Sequence, residues 1–265
     1  MEVINISFIH LGLTFLLLII PIIICRIYRI ALCKDIIYAT VRMTVQLVLI
    51  GFFLKYLFKV NNPILNFLWL LLMISIAVYS ALNRSGMKIS KIMWPTFLSF
   101  SLATLLVVFY LNTFIIRLDY VLDARYLIIL GGMLLGNSLR GNIIGITTFY
   151  KSIQKDQKEF FYKLSLGATL EEAVLPYLRE SIELALKPSL AAMATMGIVA
   201  LPGMMTGVIL GGVSPDIAIK YQIMIMMGII VSTVISVVLT IILTKPICFT
   251  PYGILSSDIF QKDQD

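Results

Sequence analysis

Residues 218–244 read AIKYQIMIMMGIIVSTVISVVLTIILT, and this run decides the fold class. It carries one charged side chain, Lys220, and as a helix it is long enough to cross the roughly 30 Å hydrocarbon core of a bilayer. A soluble domain has about 25% charged residues, so a run of this length with a single charge predicts a transmembrane helix.

Six further apolar stretches of similar length precede this run. The seven predicted spans are Ser7–Cys25, Ile36–Phe58, Ile64–Leu82, Met93–Ile115, Tyr126–Thr148, Ser189–Val213 and Ala218–Thr244. The whole chain of 265 residues is 60% hydrophobic and only 13% charged, which excludes a soluble nucleic-acid-binding protein despite the net charge of +7. We therefore expect an all-α, polytopic membrane protein of about seven transmembrane helices, forming a single transmembrane domain over residues 1–265.

Positive charge predicts how the chain is oriented. Most Lys and Arg residues fall in alternate loops, and Arg26 and Arg29 follow the first apolar stretch rather than precede it. Cytoplasmic loops are enriched in Lys and Arg. We expect a multi-pass protein of the inner (plasma) membrane, with its N-terminus outside and its C-terminus in the cytoplasm.

One predicted cytoplasmic segment, residues 149–188, is polar and longer than the other loops. Within it, Thr169 and Glu172 have the spacing of a capping box, in which each residue bonds the backbone N–H of the other at a helix start. Gly167 suits a sharp turn just before that start. The segment therefore predicts an amphipathic helix that begins at Leu170.

The fifth span is unusually polar, because it contains Asn137, Ser138, Arg140 and Asn142. Glycines at 132, 136, 141 and 145 are spaced for close helix packing, and Asn and Ser side chains can hydrogen-bond between helices. Arg140 needs a protein partner or a wet cavity. The span is either a tightly packed helix or one that lines a translocation path.

The sixth span contains Leu201, Pro202, Gly203, Met204, Met205, Thr206 and Gly207 in succession. Pro202 removes a backbone donor and predicts a kink or break, a feature that transporters place near the membrane midplane. Gly203, Gly207 and Gly211 predict a close-packed face. Met193, Met196, Met204 and Met205 are either adaptable packing residues or soft metal ligands, so any metal site remains unassigned.

The sequence gives no energy source of its own. It contains no phosphate-binding Gly-x-x-x-x-Gly-Lys-Ser/Thr loop, and the spans contain no Asp or Glu to couple transport to an ion gradient. With a single histidine, His10, and no buried acid, an intramembrane enzyme is not expected. If transport uses ATP, a separate ATPase must supply it. The alternative is a carrier or channel that works alone.

The run Glu180–Leu190, the run Ala200–Gly207 and the stretch Ile219–Ile223 resemble the FetB-like permease family, as does Gly131–Asn142. That family includes bacterial iron-export permeases and the plant aluminium-sensitive and STAR-type half-transporters. The resemblance implies a homodimeric permease without a cofactor, which exports iron, a related metal or a metal-linked solute.

The same resemblance implies a cytoplasmic ABC ATPase as partner and a place for it to dock. The turn Leu166, Gly167, Ala168 and Thr169, with Glu172, is similar to the coupling turn of ABC importer permeases. The Glu-Ala-Ala triplet expected before its glycine is replaced by Phe161, Tyr162 and Lys163.

Overall fold

The computed structural model describes residues 7–250 and 252–261, which fold almost entirely into helices joined by short turns. The helices are α1 Phe8–Thr14, α2 Ile19–Ile27, α3 Cys33–Val60, α4 Pro63–Ser85, α5 Ile89–Tyr110, α6 Ala124–Lys155, α7 Gln157–Ser165, α8 Leu170–Thr195, α9 Gly203–Leu210 and α10 Pro215–Cys248. A 3-10 turn joins α1 to α2, and a π-helical turn extends α5 to Ile115. Within the described residues there is no β-strand, so the all-α prediction is confirmed.

Six described segments are long and apolar enough to cross a membrane. They are Ile9–Ile27, Cys33–Val60, Pro63–Ser85, Ile89–Ile115, Ala124–Lys155 and Pro215–Cys248. These segments match six of the seven predicted spans.

The remaining predicted span, Ser189–Val213, is divided rather than continuous. It consists of the last turns of α8, an irregular stretch at 196–202 and the short helix α9. Gly197 takes a φ of 85°, a left-handed conformation that glycine adopts readily, and Pro202 has no N–H with which to continue a helix. The break predicted at Pro202 is present and extends back to Met196.

The segment predicted as a polar loop at 149–188 is mostly helical, and its limits differ from the prediction. α6 continues beyond the predicted end of the fifth span to Lys155, and α8 begins at Leu170 as predicted but continues through Pro188 to Thr195. Tyr177 and Ala185 are buried, and α8 packs against α6, α10 and α7. This tertiary burial keeps the helix intact, although a proline inside a helix removes one backbone hydrogen bond.

Helices α4, α5, α6, α8 and α10 form the packed core. The hairpin of α2 and α3 stands beside it and is exposed along most of its length. Its contact with the core lies near the end of α3, where Leu57 is fully buried and the rings of Phe53 and Trp69 are 4.1 Å apart. There Asn61 also donates to Asp123 Oδ2 at 2.9 Å.

A buried polar seam joins α6 to α10. Ser138 pairs with Ser232 at 3.1 Å, Asn142 donates to Ser236, and Tyr150 pairs with Thr244 at 2.6 Å. In each pair the partners are 94 residues apart, so the two helices stay in one register over three turns of α6.

Glycines allow these two helices to approach. A Cβ atom at Gly141 would collide with the Thr233 methyl group, and one at Gly145 would lie 2.8 Å from Val237 Cγ1. The close packing predicted for Gly141 and Gly145 is therefore confirmed. Gly136 faces open space, with no atom within 4 Å of its ideal Cβ position.

The segment after α10 folds back along one end of the bundle. Ile259 is fully buried, its carbonyl accepts the Lys88 N–H at 2.6 Å, and the Gln261 N–H reaches the Gly86 carbonyl at 2.8 Å. Nearby, an added Cβ at Gly253 would lie 3.0 Å from Leu164 Cδ1. The segment thus connects the turn between α4 and α5 with the end of α7.

Candidate functional site

A cavity of about 570 Å³ opens between α6, α8, α9 and α10, beside the irregular stretch 196–202. Five of the residues predicted for the translocation path or helix break line it: Asn137, Arg140, Pro202, Gly203 and Met204. Pockets for small molecules usually have volumes of about 300–1,000 Å³. The broken segment and the polar part of α6 therefore meet at one space large enough for a solute.

Arg140 lies at this cavity with its side chain exposed. No acidic side chain of the described residues approaches its guanidinium within 4 Å. Arg140 therefore faces the cavity without an acidic partner, and its charge is available to a ligand.

The other residues predicted for the path lie elsewhere. Ser138 and Asn142 are buried in the seam with α10, where they act as helix-to-helix contacts. Met205 borders a separate pocket, and the Thr206 hydroxyl donates to the Pro202 carbonyl at 3.0 Å.

The close-packed glycine face predicted on α9 is absent from this single chain. An ideal Cβ atom at Gly203 or Gly207 would meet nothing within 4 Å, and at Gly211 only carbonyls of its own turn come close. The prediction is wrong here because α9 packs mainly against α10 and leaves its glycine face open.

Sequence reasoning missed several cavity residues, of which Gln222 is the most informative. Gln222 is 93% buried, lines the cavity and donates to Met196 Sδ at 3.7 Å. Met133 and Met226 line the cavity as well. An amide inside an otherwise apolar span is a detectable signal, because polar groups are costly in the membrane.

The turn between α7 and α8, which we call the coupling turn, comprises Leu166–Thr169. Its first half is a Schellman motif: the Gly167 N–H bonds the Leu164 carbonyl at 3.0 Å, and the Ala168 N–H bonds the Lys163 carbonyl at 3.2 Å. Gly167 has a φ of 92°, which a residue with a Cβ adopts only under strain. The sharp turn predicted at this glycine is present.

The second half of the coupling turn is the predicted capping box. The Glu172 N–H donates to Thr169 Oγ1 at 3.3 Å, and Glu172 Oε2 accepts the Thr169 N–H at 2.8 Å. The Thr169 backbone N–H, followed by its hydroxyl, lowers the pKa of the Glu172 carboxyl below its usual value. Leu166, at the tip, is 69% exposed, so an apolar side chain projects from a rigid turn.

Charged groups tie the coupling turn to its surroundings. Lys245 on α10 lies 2.7 Å from Glu171, and this bond lowers the pKa of the Glu171 carboxyl. Lys163 bonds Glu159 at 2.8 Å and lies over the Tyr177 ring, and the Glu159 contact is the main cause of a raised pKa at Lys163. These exposed pairs add little stability and serve mainly to position the turn.

Helix α8 connects the coupling turn to the cavity. It starts at Leu170, directly after the turn, and its residues Ala185, Pro188 and Ala192 line the cavity. At about 1.5 Å per residue, Ala185 lies roughly 22 Å along the helix from Leu170. One helix therefore spans the distance from the turn to the cavity.

Metal ligands of the usual kinds do not cluster in the described part of the chain. Nowhere in residues 7–250 and 252–261 do three or more His, Cys, Asp or Glu side chains come together as a metal site. The sulfur-containing residues that line the cavity are Met133, Met196, Met204 and Met226.

A bundle of long apolar helices, with a cavity beside a broken segment, defines a multi-pass α-helical membrane protein. The profile of the family described as "Uncharacterised protein family (UPF0014)" matches residues 8–249, and the chain belongs to that family.

Named relatives cover most of the chain. It is 29% identical to "UPF0014 membrane protein YjkA" of Bacillus subtilis over 92% of this chain and 96% of that protein. It is 33% identical to "Probable iron export permease protein FetB" of Escherichia coli over 83% of this chain and 84% of the relative. It is also 33% identical to "Protein ALUMINUM SENSITIVE 3" of Arabidopsis thaliana, over 72% of this chain and 69% of the plant protein. No solved structure matches the chain.

Proposed function

We propose that this chain is the membrane-spanning permease subunit of an ABC transporter, driven by a separate ATPase that docks at the coupling turn. One observation carries the proposal: a single helix, α8, runs from the capped turn to the wall of the cavity. Motion imposed on the exposed Leu166 by a partner would move the cavity lining directly.

Orientation and assembly follow from this assignment. The coupling turn, α7 and the C-terminal segment face the cytoplasm of the inner (plasma) membrane, and the N-terminus lies outside. Two permease copies pair with two ATPase subunits, as the ABC class requires. The chain itself hydrolyses nothing.

The proposed solute is iron, a related metal or a metal-linked solute, moved outward. The name of the Escherichia coli relative supports this direction and substrate. The polar cavity beside the break in the sixth segment is the proposed central path, with Asn137, Arg140, Pro202, Gly203 and Met204 at its surface.

Inside-out vesicles test the proposal. We expect the permease to co-purify with an ATPase and the vesicles to accumulate iron only with ATP, in a manner that vanadate blocks. Gly167→Val should abolish transport while leaving insertion intact, because valine does not tolerate the left-handed backbone at that turn. Glu180→Gln, an exposed change on α8 outside the turn and cavity, is the control and should transport normally.

Two results would refute the assignment. One is iron flux by the purified permease in liposomes that contain no ATPase, which would favour a carrier or channel. The other is normal ATP-driven transport by Gly167→Val, which would remove the coupling turn from the mechanism.

A further inference from the structure

The charge of the cavity constrains what it can bind. Among the described lining residues, Arg140 carries the only charge, and no Asp or Glu is present. A bare divalent cation would meet a fixed positive charge there, with no carboxylate to offset it.

Two helix ends meet at the cavity, the C-terminal end of α8 and the N-terminal end of α9. A C-terminal end presents carbonyl oxygens, which would attract cations. At α8 several are already bonded: the Thr195 hydroxyl donates to the carbonyls of Ala191 and Ala192 at 3.3 and 3.2 Å, and the Val199 N–H reaches the Thr195 carbonyl at 3.0 Å. This reduces the attraction of that end for cations.

At the N-terminal end of α9, by contrast, backbone groups lack hydrogen-bond partners within the described chain. Its N-cap, Pro202, supplies no side-chain bond, and the N–H groups of Gly203 and Met204 have no acceptor among the described residues. Both residues line the cavity. Unpaired N–H groups and the positive end of the helix dipole favour an anion at such a place.

Gln222 gives an independent indication of a ligand. Its side chain is 93% buried at the cavity, and its amide nitrogen donates only to the thioether of Met196, at 3.7 Å. Thioether sulfur is a weak acceptor, so the amide nitrogen retains capacity to donate to a stronger acceptor. Burying a polar group without a good partner is costly, and an anionic oxygen would remove that cost.

We propose that the cavity binds its solute through an anionic oxygen group, a phosphate or a carboxylate. Arg140 supplies the charge, and Gln222 with the N–H groups of Gly203 and Met204 supplies hydrogen bonds. The proposal rests on the proposed function and narrows it: a transported metal occupies the cavity as an anionic complex, and a bare cation does not bind there.

Binding to the purified full-length permease in nanodiscs, with no ATPase present, tests this inference. The probes are inorganic phosphate, citrate, ferric citrate, Mn²⁺ and glucose, each titrated with calorimetry. We expect the anions to bind, with Mn²⁺ and glucose showing no saturable signal. Comparing phosphate with citrate and ferric citrate separates a phosphate-bearing solute from a carboxylate-chelated metal.

Matched variants locate the binding. Arg140→Gln should weaken anion binding at least tenfold, and Gln222→Leu should weaken it several-fold. Arg125→Gln removes the same charge from the exposed outer end of the same helix and should bind as the unaltered chain does. Arg140→Lys keeps the charge and should restore part of the affinity, which separates a lost contact from a misfolded protein.

Saturable Mn²⁺ binding without anion binding would overturn the inference, as would equal losses in Arg140→Gln and Arg125→Gln. A failed ATP-driven transport assay would instead refute the proposed function and leave the anion-binding result standing.

Discussion

At the scale of single residues, Glu172 determines how firmly α8 starts. Its carboxylate accepts two bonds from Thr169, which hold its pKa below the ordinary value of about 4.3. A group whose pKa is lowered by folding stabilises the fold fully above its unfolded pKa. That contribution is lost as the pH falls through the folded pKa.

We therefore expect the first turn of α8 to loosen below about pH 4.3 and to stay unchanged between pH 5 and pH 8. Amide hydrogen-exchange protection at Glu172 and Ala173, corrected for intrinsic exchange rates, measures this. Glu172→Gln should reduce the pH step, and the remainder comes from Glu171, whose pKa is also lowered, by Lys245. Glu171→Gln removes the contact with Lys245 but keeps the cap, so it should retain the part of the step that comes from Glu172. Protection that stays constant down to pH 3 would contradict the prediction.

At the scale of elements, the contact between α6 and α10 depends on Gly145. An alanine there would place its Cβ 2.8 Å from Val237 Cγ1. Overpacking costs roughly 1–3 kcal/mol, whereas replacing a helical glycine by alanine gains about 0.5–1 kcal/mol. Gly145→Ala should therefore lower the melting temperature in detergent.

Gly136→Ala, on the same helix but facing open space, has no overpacking cost and should melt at the same temperature or higher. Val237→Ala should make Gly145→Ala less destabilising, because it removes the methyl groups that the new Cβ meets. Independent effects of the two changes would show that this contact does not limit the helix approach.

Helices whose position depends on residues close together in the sequence could be predicted from the sequence. Hydropathy located six long helices, and the spacing of Thr169 and Glu172 located the start of α8, because both depend on neighbouring residues. The end of α8 was not predictable, since Pro188 marks a helix stop locally and only packing against α6 and α10 keeps the helix intact.

The candidate site was also predictable only where local sequence determines it. The break at Pro202 and the polar character of Arg140 were visible in the sequence, whereas their meeting in one cavity with Gln222 depends on how α6, α9 and α10 pack. The seam pairs residues 94 positions apart, and no periodicity in one sequence specifies such a pairing. The prediction that the glycine face of α9 is close-packed was wrong for a related reason. Glycine spacing permits a close contact but does not supply a partner.

At the scale of the whole molecule, the hairpin of α2 and α3 is held to the core mainly at one end. Asn61 is central there: it donates to Asp123 at 2.9 Å and accepts from the Asn66 side chain at 3.1 Å and the Ala124 N–H at 2.9 Å. Asn61 has a φ of 41°, so glycine is the substitution that removes the side chain without straining the backbone.

We expect Asn61→Gly to detach the hairpin and leave the core folded. The three lost hydrogen bonds contribute about 0.5–1.5 kcal/mol each to holding the hairpin on the core. Their sum should exceed the stabilisation from the contact between Phe53 and Trp69, whose rings lie 4.1 Å apart. Cysteines at those two positions remove the ring contact in both chains, so a short bismaleimide should cross-link them in the chain that keeps Asn61 and much less with Asn61→Gly. Asn83→Ala, an exposed change on α4, should leave cross-linking unchanged. Full cross-linking in Asn61→Gly would mean that the membrane or a second copy, rather than this hydrogen-bond cluster, holds the hairpin in place.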